Sequence, residues 1–204
     1  MEIIFLVRNL KNKKNDFLKI LITGAGSGLG KQVAIVLASI GYEIFAGIKF
    51  DEEIEDFKKI IILKKLKIHV FKMDILEKND RNFISDFAID ILICNAAIGD
   101  SGSVAEFSVD NVRKVFDTNV FAHLECIQLA IKSMIERGGK GKIIILSSLV
   151  GRIPMPFLSP YCASKFALDC FGTCLRQEMK ILNRLKGTDI KVSLIEPGAY
   201  ATRL

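Results

Sequence analysis

The chain has 204 residues, of which 50% are apolar and 25% are charged, and its formal net charge is +6 at pH 7. The apolar half excludes an intrinsically disordered chain, and 15 glycines and 4 prolines are too few for a collagen-like or low-complexity sequence. Because the basic residues are scattered rather than interleaved with aromatic residues, we expect a lysine-rich solvated surface and no nucleic-acid partner.

Short apolar runs alternate with amphipathic segments along the chain, which is typical of βαβ units. The length predicts one domain, at about 150 residues per domain. We therefore predict an α/β fold with a doubly wound, mostly parallel sheet (a Rossmann fold) in three αβα layers. The predicted strands are residues 19–23, 43–48, 67–72, 90–95, 142–147 and 191–195, and the predicted helices are 28–40, 52–65, 79–86, 109–137 and 160–185.

The first 17 residues lie outside this alternation. An apolar start is followed by Lys11, Lys13 and Lys14, which predicts an extra strand or a loose arm before the domain at 18–204. The longest apolar run in this segment, residues 3–7, is too short for a signal sequence or a membrane span. We therefore expect a cytoplasmic protein with no membrane partner.

A glycine-rich turn follows the first predicted strand. Glycines allow the backbone to approach a ligand closely, and the free N–H groups at a helix start favour a phosphate. The spacing T-G-x-x-x-G-x-G predicts a dinucleotide site, although S-adenosylmethionine enzymes also use a glycine-rich turn. The residues of this predicted cofactor site are Thr23, Gly24, Gly26, Ser27, Gly28, Leu29 and Gly30.

The end of the second predicted strand bears on the choice between NADP and NAD. An acid at this point accepts a hydrogen bond from the ribose 2′-OH, whereas a basic group accommodates a 2′-phosphate. Lys49 follows the strand at once, and Asp51 and Glu52 come two and three residues later. This order favours NADP over NAD, and an ordinary exposed lysine at a strand end is the alternative.

Cysteine and histidine offer few ligands for a metal, and we expect no metal site. Five cysteines, most of them in apolar segments, predict buried thiols in a reducing compartment. Cys170 and Cys174 are one helical turn apart, but no CxxC pair or nearby histidine joins them, so core packing is favoured over a shared metal. His69 and His123 are the only two histidines, and we expect His123 to be a buried structural residue.

A serine, a tyrosine and a lysine form the candidate catalytic group. Ser148 follows the fifth predicted strand, and Tyr161 and Lys165 are four residues apart, hence on one face of a predicted helix. A tyrosine of pKa ~10 must fall by ~3 units to act as a base at neutral pH, and Lys165 with an oxidised nicotinamide could supply that stabilisation. Ser148 would hydrogen-bond the substrate oxygen. On its own, the Tyr-x-x-x-Lys spacing favours an ordinary pair on a helix surface. Together with the glycine-rich turn upstream, it no longer favours that interpretation.

With these motifs in this order, the sequence resembles the classical short-chain dehydrogenases/reductases over residues 18–204. The resemblance implies that Tyr161 is the general acid/base, that Ser148 orients the substrate oxygen, and that Lys165 stabilises the phenolate and binds the nicotinamide ribose. Asn119, in the long predicted helix, corresponds to a fourth catalytic residue that holds a water in a proton relay. The other matching positions are Asp74, Asn95, Ala96, Ala97, Pro197, Gly198 and Thr202.

The resemblance also implies contacts with the cofactor. Asp74 and Ile75 would contact the adenine side, Asn95 and Ala96 would wall the cofactor, and the turn at 197–202 would lie over the nicotinamide. Cys94 and Ala97 replace the Asn and Gly of the family pattern, a change that we expect the cofactor site to tolerate.

The sequence therefore predicts an NAD(P)-dependent oxidoreductase that transfers a hydride between the nicotinamide and a small-molecule alcohol or carbonyl substrate. Met155, Phe157 and Leu158 either line a pocket for a bulky alcohol or ketone or pack as a loop on their own protein. The long predicted helices are apolar on more than one side, which predicts a homodimer or homotetramer.

The end of the sequence suggests a different expectation. The chain stops at Leu204, where family members continue into a substrate-covering loop and a last strand. A catalytically impaired or truncated dinucleotide-binding subunit or regulator is therefore the alternative function. An S-adenosylmethionine-dependent methyltransferase is a weaker alternative, because it shares only the glycine-rich turn and gives no reason for Tyr161 and Lys165.

Overall fold

The computed structural model describes residues 18–198, and its centre is one sheet of six strands. The strands are β1 Lys19–Thr23, β2 Glu43–Ile48, β3 Ile68–Lys72, β4 Ile91–Cys94, β5 Lys140–Leu146 and β6 Asp189–Ile195. Their order is β3-β2-β1-β4-β5-β6, and every neighbouring pair is parallel. The predicted doubly wound sheet is confirmed, and no antiparallel pair occurs in the described part. The predicted arm at 1–17 and the predicted cofactor residue Thr202 lie outside the described residues.

Seven α-helices connect the strands in the described part of the chain. They are α1 Gly28–Ser39, α2 Asp51–Lys64, α3 Lys78–Arg81, α4 Phe83–Asp86, α5 Val109–Phe116, α6 Ala122–Glu136 and α7 Ser159–Lys186. A π-helical turn at Asp117–Phe121 joins α5 to α6, and a 3₁₀ turn at Leu149–Gly151 follows β5.

Two helix predictions need correction. The predicted helix at 109–137 contains the π turn, which a periodicity argument does not detect because the chain stays helical. The predicted helix at 79–86 is two single turns, since Asn82 ends α3 and begins α4. The predicted bounds of β1 and β2 agree with the structure, and those of the other four strands differ by at most two residues at either end, as is common at strand ends.

Strand side chains alternate between the two faces of the sheet and so create three layers. Ile20 and Ile22 pack with the helix residues Leu37 of α1 and Phe57 of α2 in one core. Leu21 faces the other side, where its core includes residues of α4, α6 and α7. The predicted αβα layering is thus confirmed.

The cysteines divide between the core and the surface. Cys94, Cys126 and Cys162 are buried, but Cys170 and Cys174 are exposed on α7, so the expected core packing of this pair is wrong. The cause is the orientation of α7: its small residue Gly172 faces the sheet, and this turns both thiols outward.

The described part of the chain contains neither a candidate metal-binding cluster nor a candidate membrane-spanning helix. Between residues 18 and 198, no cluster of three or more His, Cys, Asp or Glu side chains could hold a metal. Likewise, none of the described helices combines the length and apolar character that crossing a bilayer requires.

The strand order creates a crevice at the carboxyl ends of the strands. From β1 the chain proceeds to β2 and β3 on one side of the sheet, and from β4 it proceeds to β5 and β6 on the other side. Ligands of such sheets bind between the two strands at which the strand order reverses, here β1 and β4. The glycine-rich turn follows β1, and Ser148 comes two residues after β5, at the same edge.

Candidate active site

The glycine-rich turn is shaped by its glycines and by the segment that follows β4. Gly24 and Gly28 have φ values of +64° and +51°, in the left-handed region that favours glycine. A Cβ atom at Gly24 would lie 2.7 Å from the Cα atom of Ala96. The close approach therefore requires glycine, and it brings the start of α1 beside the loop after β4.

Thr23 and Asn95 join these two segments. The Thr23 hydroxyl oxygen accepts from the backbone N–H groups of Asn95 at 3.0 Å and Ala96 at 3.2 Å. The Asn95 side-chain amide donates to the carbonyl oxygens of Thr23 and Gly24, each at 2.9 Å. These four bonds fix the turn geometry, so Thr23 acts on the site through its neighbours.

A cavity of about 600 Å³ runs from the glycine-rich turn to Tyr161. This volume is typical of a small-molecule or cofactor site. Most of the predicted residues line it, namely Gly24, Ser27, Gly28, Leu29, Lys49, Asp74, Ile75, Asn95, Ala96, Ala97, Ser148, Tyr161, Lys165, Pro197 and Gly198. Four other predicted residues, Thr23, Gly26, Gly30 and Asn119, support the cavity without lining it.

Several residues that line the cavity were not predicted from the sequence. Among them are Phe50, Glu53, Met73, Ile98, Thr118 and Leu149. Most of them immediately adjoin a predicted site residue, so extending each motif by one residue would have found them. Glu53 is different, because it lies in the first turn of α2, beyond any motif.

Charged groups surround the glycine-turn end of the cavity. The Lys49 ammonium lies 2.9 Å from a carboxylate oxygen of Asp74, whose other oxygen accepts from the backbone N–H of Leu76. The Glu53 carboxylate packs where a Cβ atom of Gly26 would be, and it has no hydrogen bond or ion pair with any residue of the described chain. The Lys49 charge is thus already balanced by one acid, with a second acid nearby.

Tyr161, Ser148 and Lys165 meet at the other end of the cavity. The Lys165 Nζ atom lies 5.5 Å from the centre of the Tyr161 ring and donates to the carbonyl oxygen of Leu146 at 3.0 Å. Burial raises the pKa of Tyr161, and its hydrogen bond with Ser148 only partly offsets this. Burial therefore dominates the Tyr161 pKa in this structure. The expected lowering by Lys165 together with an oxidised nicotinamide stays a prediction.

The charge on Lys165 is itself sensitive to pH. Burial lowers its pKa to about 8, although the carboxylate of Asp169, one turn further along α7, acts in the opposite direction. The arrangement thus combines a protonated phenol with a lysine that still carries most of its charge at neutral pH.

Asn119 lies in the π turn and holds the loop that follows β4. Its side-chain amide donates to the carbonyl oxygen of Ile98 at 2.9 Å and to the Ser164 hydroxyl at 3.0 Å, and its oxygen accepts from the backbone N–H of Ile98. The residue is fully buried. Its side chain therefore connects the cavity wall to α7.

His123 supports the same loop from α6, one turn after Asn119. Its Nε2 atom lies 2.6 Å from the carbonyl oxygen of Ala96 and must carry the proton, since a carbonyl can only accept. Burial and the nearby Lys165 charge lower the His123 pKa to about 4. The expected buried structural histidine is confirmed, and it bears directly on the cavity wall.

Sequence comparisons show which family this chain resembles. The profile of the short chain dehydrogenase family matches residues 18–204. Dehydrogenase/reductase SDR family member 7B of Xenopus laevis is 33% identical over 197 residues, which cover 91% of this chain and 59% of that protein. The chain spans about three fifths of the length of the curated relatives that it matches most strongly.

Solved structures share the same architecture. The crystal structure of acetoin dehydrogenase YohF from Salmonella typhimurium aligns with a TM-score of 0.79 at 25% identity, covering 92% of this chain and 78% of that one. ElxO with NADP bound aligns with a TM-score of 0.80 at 24% identity, covering 92% and 76%. The second similarity concerns the fold alone.

Proposed function

The chain belongs to the short-chain dehydrogenase/reductase family, and from this premise we propose that it transfers a hydride between a nicotinamide dinucleotide and an alcohol or carbonyl substrate. One observation carries the proposal: Ser148, Tyr161 and Lys165 line the same cavity as the glycine-rich turn. A surface pair of tyrosine and lysine would not share a cavity with a phosphate-binding turn.

The residues present fit a dinucleotide. The N–H groups at the start of α1 would hold its pyrophosphate, because the left-handed glycines leave room for close approach. Lys49 and Asp74 would bind the adenosine side, and Asn95, Ala96 and Ala97 would form the wall beside the nicotinamide, with Pro197 and Gly198 opposite. Lys49 supports NADP over NAD, because a cation at the end of β2 accommodates a 2′-phosphate, which would compete with Asp74 for the ammonium.

The cofactor, when bound in its reduced form, supplies the hydride that the carbonyl carbon receives and is left oxidised. Tyr161 donates its proton to the carbonyl oxygen, so that the product is the alcohol. Because burial raises the pKa of Tyr161, the phenol is protonated at neutral pH, as a general acid must be. The phenol can thus serve as the acid that carbonyl reduction requires.

Ser148 and Lys165 assist that proton transfer. The Ser148 hydroxyl donates a hydrogen bond to the substrate oxygen while negative charge develops there. The Lys165 ammonium, 5.5 Å from the ring centre, stabilises the phenolate that remains, and solvent then returns the proton. Asn119 holds the loop after β4 against α7, because its side-chain amide donates to Ile98 in that loop and to Ser164 on α7.

The test is oxidation of NADPH and NADH against a panel of carbonyl compounds, with wild type and Tyr161→Phe compared. We expect the substitution to reduce turnover by about 10²- to 10⁴-fold while dinucleotide binding, measured by calorimetry, is retained. Full activity in Tyr161→Phe would refute the assigned acid. Tight dinucleotide binding without turnover of any carbonyl would instead support a binding subunit or regulator.

We further propose a homo-oligomer in which α7 contacts a second copy. Phe166 and Phe171 are 41% and 45% exposed on this helix, and Ile181 and Leu185 are more exposed still. Light scattering after size exclusion, at micromolar concentration, should give a multiple of the chain mass of 22.7 kDa. A monomer mass would contradict the proposal.

A further inference from the structure

The Tyr161 end of the cavity has a continuous apolar lining, which we call the apolar rim. The rim consists of Ile98, Leu149, Val150, Met155 and Leu158. Ile98, Leu149 and Met155 are 40%, 48% and 49% exposed. Of the three residues for which the sequence left two alternatives open, Met155 and Leu158 line the cavity and Phe157 does not. The exposure of Met155 supports a pocket over a loop packed on its own protein.

Two loops form the rim, and they are joined to each other. The backbone N–H of Gly102, beyond β4, donates to the carbonyl oxygen of Phe157, beyond β5, at 2.9 Å. Phe157 has φ +63°, which is a genuine outlier for a bulky side chain. Its side chain is 67% exposed, and Val104, from the other loop, is 75% exposed. Apolar surface thus extends outward from both sides of the cavity mouth.

Charge is distributed unevenly along the same cavity. Lys49, Glu53 and Asp74 lie at the glycine-turn end. At the Tyr161 end, Lys165 is the one charged residue of the described lining, and its ammonium is buried and donates to Leu146. Arg152 is the nearest cation in sequence to the rim, but it binds Glu196 and lies 2.8 Å from a carboxylate oxygen of Asp169. An anionic substrate would find no available counter-charge among these residues.

We propose that this site takes a neutral carbonyl compound or alcohol with an extended apolar group, whose oxygen binds at Ser148 and Tyr161 and whose apolar group lies along the rim. The inference rests on the proposed function, because it assigns the substrate class of the same site. The rim lines the same cavity as Ser148 and Tyr161, and this continuity favours a substrate as the occupant.

The first experiment measures kcat/KM of the full chain for straight methyl ketones from butan-2-one to decan-2-one. We expect a two- to fourfold rise for each added methylene, up to a plateau, because about fourfold corresponds to full burial of one CH₂ group. The matched anion 9-oxodecanoate, which has the same carbon count as decan-2-one, should react at least ten times more slowly than decan-2-one.

The second experiment compares Met155→Gln with Leu63→Gln. Both substitutions replace an exposed apolar side chain by an amide, but Leu63 lies on α2, away from the cavity, and is 82% exposed. We expect Met155→Gln to flatten the chain-length dependence and Leu63→Gln to leave it as in wild type. The same ketones are titrated into Tyr161→Phe with dinucleotide bound, which gives a dissociation constant that does not depend on turnover.

Each outcome decides a different point. Reduction of butan-2-one with no gain from longer chains would overturn the inference and leave the proposed function standing. Absence of turnover together with tighter binding of decan-2-one than butan-2-one would overturn the proposed function and retain the apolar ligand class. If Met155→Gln changed the oligomeric mass instead of the length dependence, the rim would be a packing surface for another segment or copy, and the inference would fail.

Discussion

Lys165 holds its ammonium 5.5 Å from the centre of the Tyr161 ring while bonding to the carbonyl oxygen of Leu146. Only 2% of the residue is exposed, and this burial lowers the Lys165 pKa to about 8. Burial therefore destabilises the charged form of Lys165 beside the proposed catalytic acid, and this desolvation cost applies only at pH values at which the lysine is protonated.

That cost predicts how Lys165 affects stability. Between pH 8 and pH 10.5 the unfolded lysine keeps its proton while the native one has lost it, so the free energy of unfolding should rise with pH. The expected rise is roughly 3 kcal/mol. Because the raised pKa values of the buried thiols Cys94 and Cys126 act in the opposite direction, the rise is measured as a difference between variants. From pH 7.5 to 10.5, urea unfolding of wild type and of the exposed-lysine control Lys132→Met should gain this amount relative to Lys165→Met. Parallel curves for Lys165→Met and wild type would contradict the assignment.

His123 should control stability on the acid side. The unfolded histidine binds a proton near pH 6.5 but the native one only near pH 4, so stability falls as the pH decreases through this range. The loss attributable to His123 is about 3 kcal/mol. His123→Gln, which can still donate to Ala96, should lose much less over this range. His69→Gln, at the other and exposed histidine, should behave as wild type, and an equal acid loss in both variants would refute the prediction.

Cofactor preference should respond to the two unlike charges near the glycine-rich turn. Removing the Glu53 carboxylate removes repulsion of a 2′-phosphate, so Glu53→Gln should tighten NADPH relative to NADH by about three- to tenfold. Lys49→Gln should shift the ratio of dissociation constants in the opposite direction by a similar factor. Calorimetry with both dinucleotides measures the ratio, and the exposed neighbour Glu52→Gln is the control. An unchanged ratio in Glu53→Gln would exclude a role for this carboxylate.

Arg152 connects three segments of the site, and its loss should reduce turnover. It donates to Glu196 at 2.7 and 3.0 Å and lies 2.8 Å from Asp169 on α7, which links the loop after Ser148 to the turn after β6. Loss of these contacts should displace the loop that carries Ser148, and small displacements of reacting groups lower the rate of the chemical step. Arg152→Gln should therefore lower kcat by about threefold to 100-fold. Dinucleotide affinity should change little.

The matched control for Arg152→Gln is Arg113→Gln, since Arg113 pairs with Asp110 on the surface of α5. It removes the same charge from an exposed ion pair that touches no part of the cavity. A loss of kcat in Arg113→Gln as large as in Arg152→Gln would show that the effect is one of overall charge. Partial recovery in Arg152→Lys is expected, because lysine keeps the charge but not the planar pair of donors.

The sheet and most of the site were accessible from the sequence because they depend on local patterns. Runs such as Ile20 to Ile22 predict buried parallel strands, and the spacing of Tyr161 and Lys165 places them on one helix face. The direction of the Tyr161 pKa was not accessible, since it depends on how deeply the fold buries the ring.

Contacts between segments that are distant in sequence could not be predicted either, because they depend on the three-dimensional fold. The pairing of Lys49 with Asp74 joins the ends of β2 and β3, and no local pattern signals it. The exposure of Cys170 and Cys174 follows from the direction in which α7 faces the sheet. Gly172 was the available signal, because a small residue amid large ones indicates close packing, here against Leu194 and Ile145.

The π turn at Asp117–Phe121 has a consequence for how this helical segment tolerates change in length. Such a turn closes its hydrogen bonds over one more residue than an α-helical turn does, and each residue rotates a helix by about 100°. The turn therefore holds one extra residue without rotating the helix that follows, and deleting one residue here would convert it to an ordinary α-helical turn, with α6 and His123 keeping their orientation toward Ala96. The same deletion within α5 or α6 would instead rotate the rest of the helix by about 100°, so this turn is the point of the segment at which a change of length leaves the cavity wall in place.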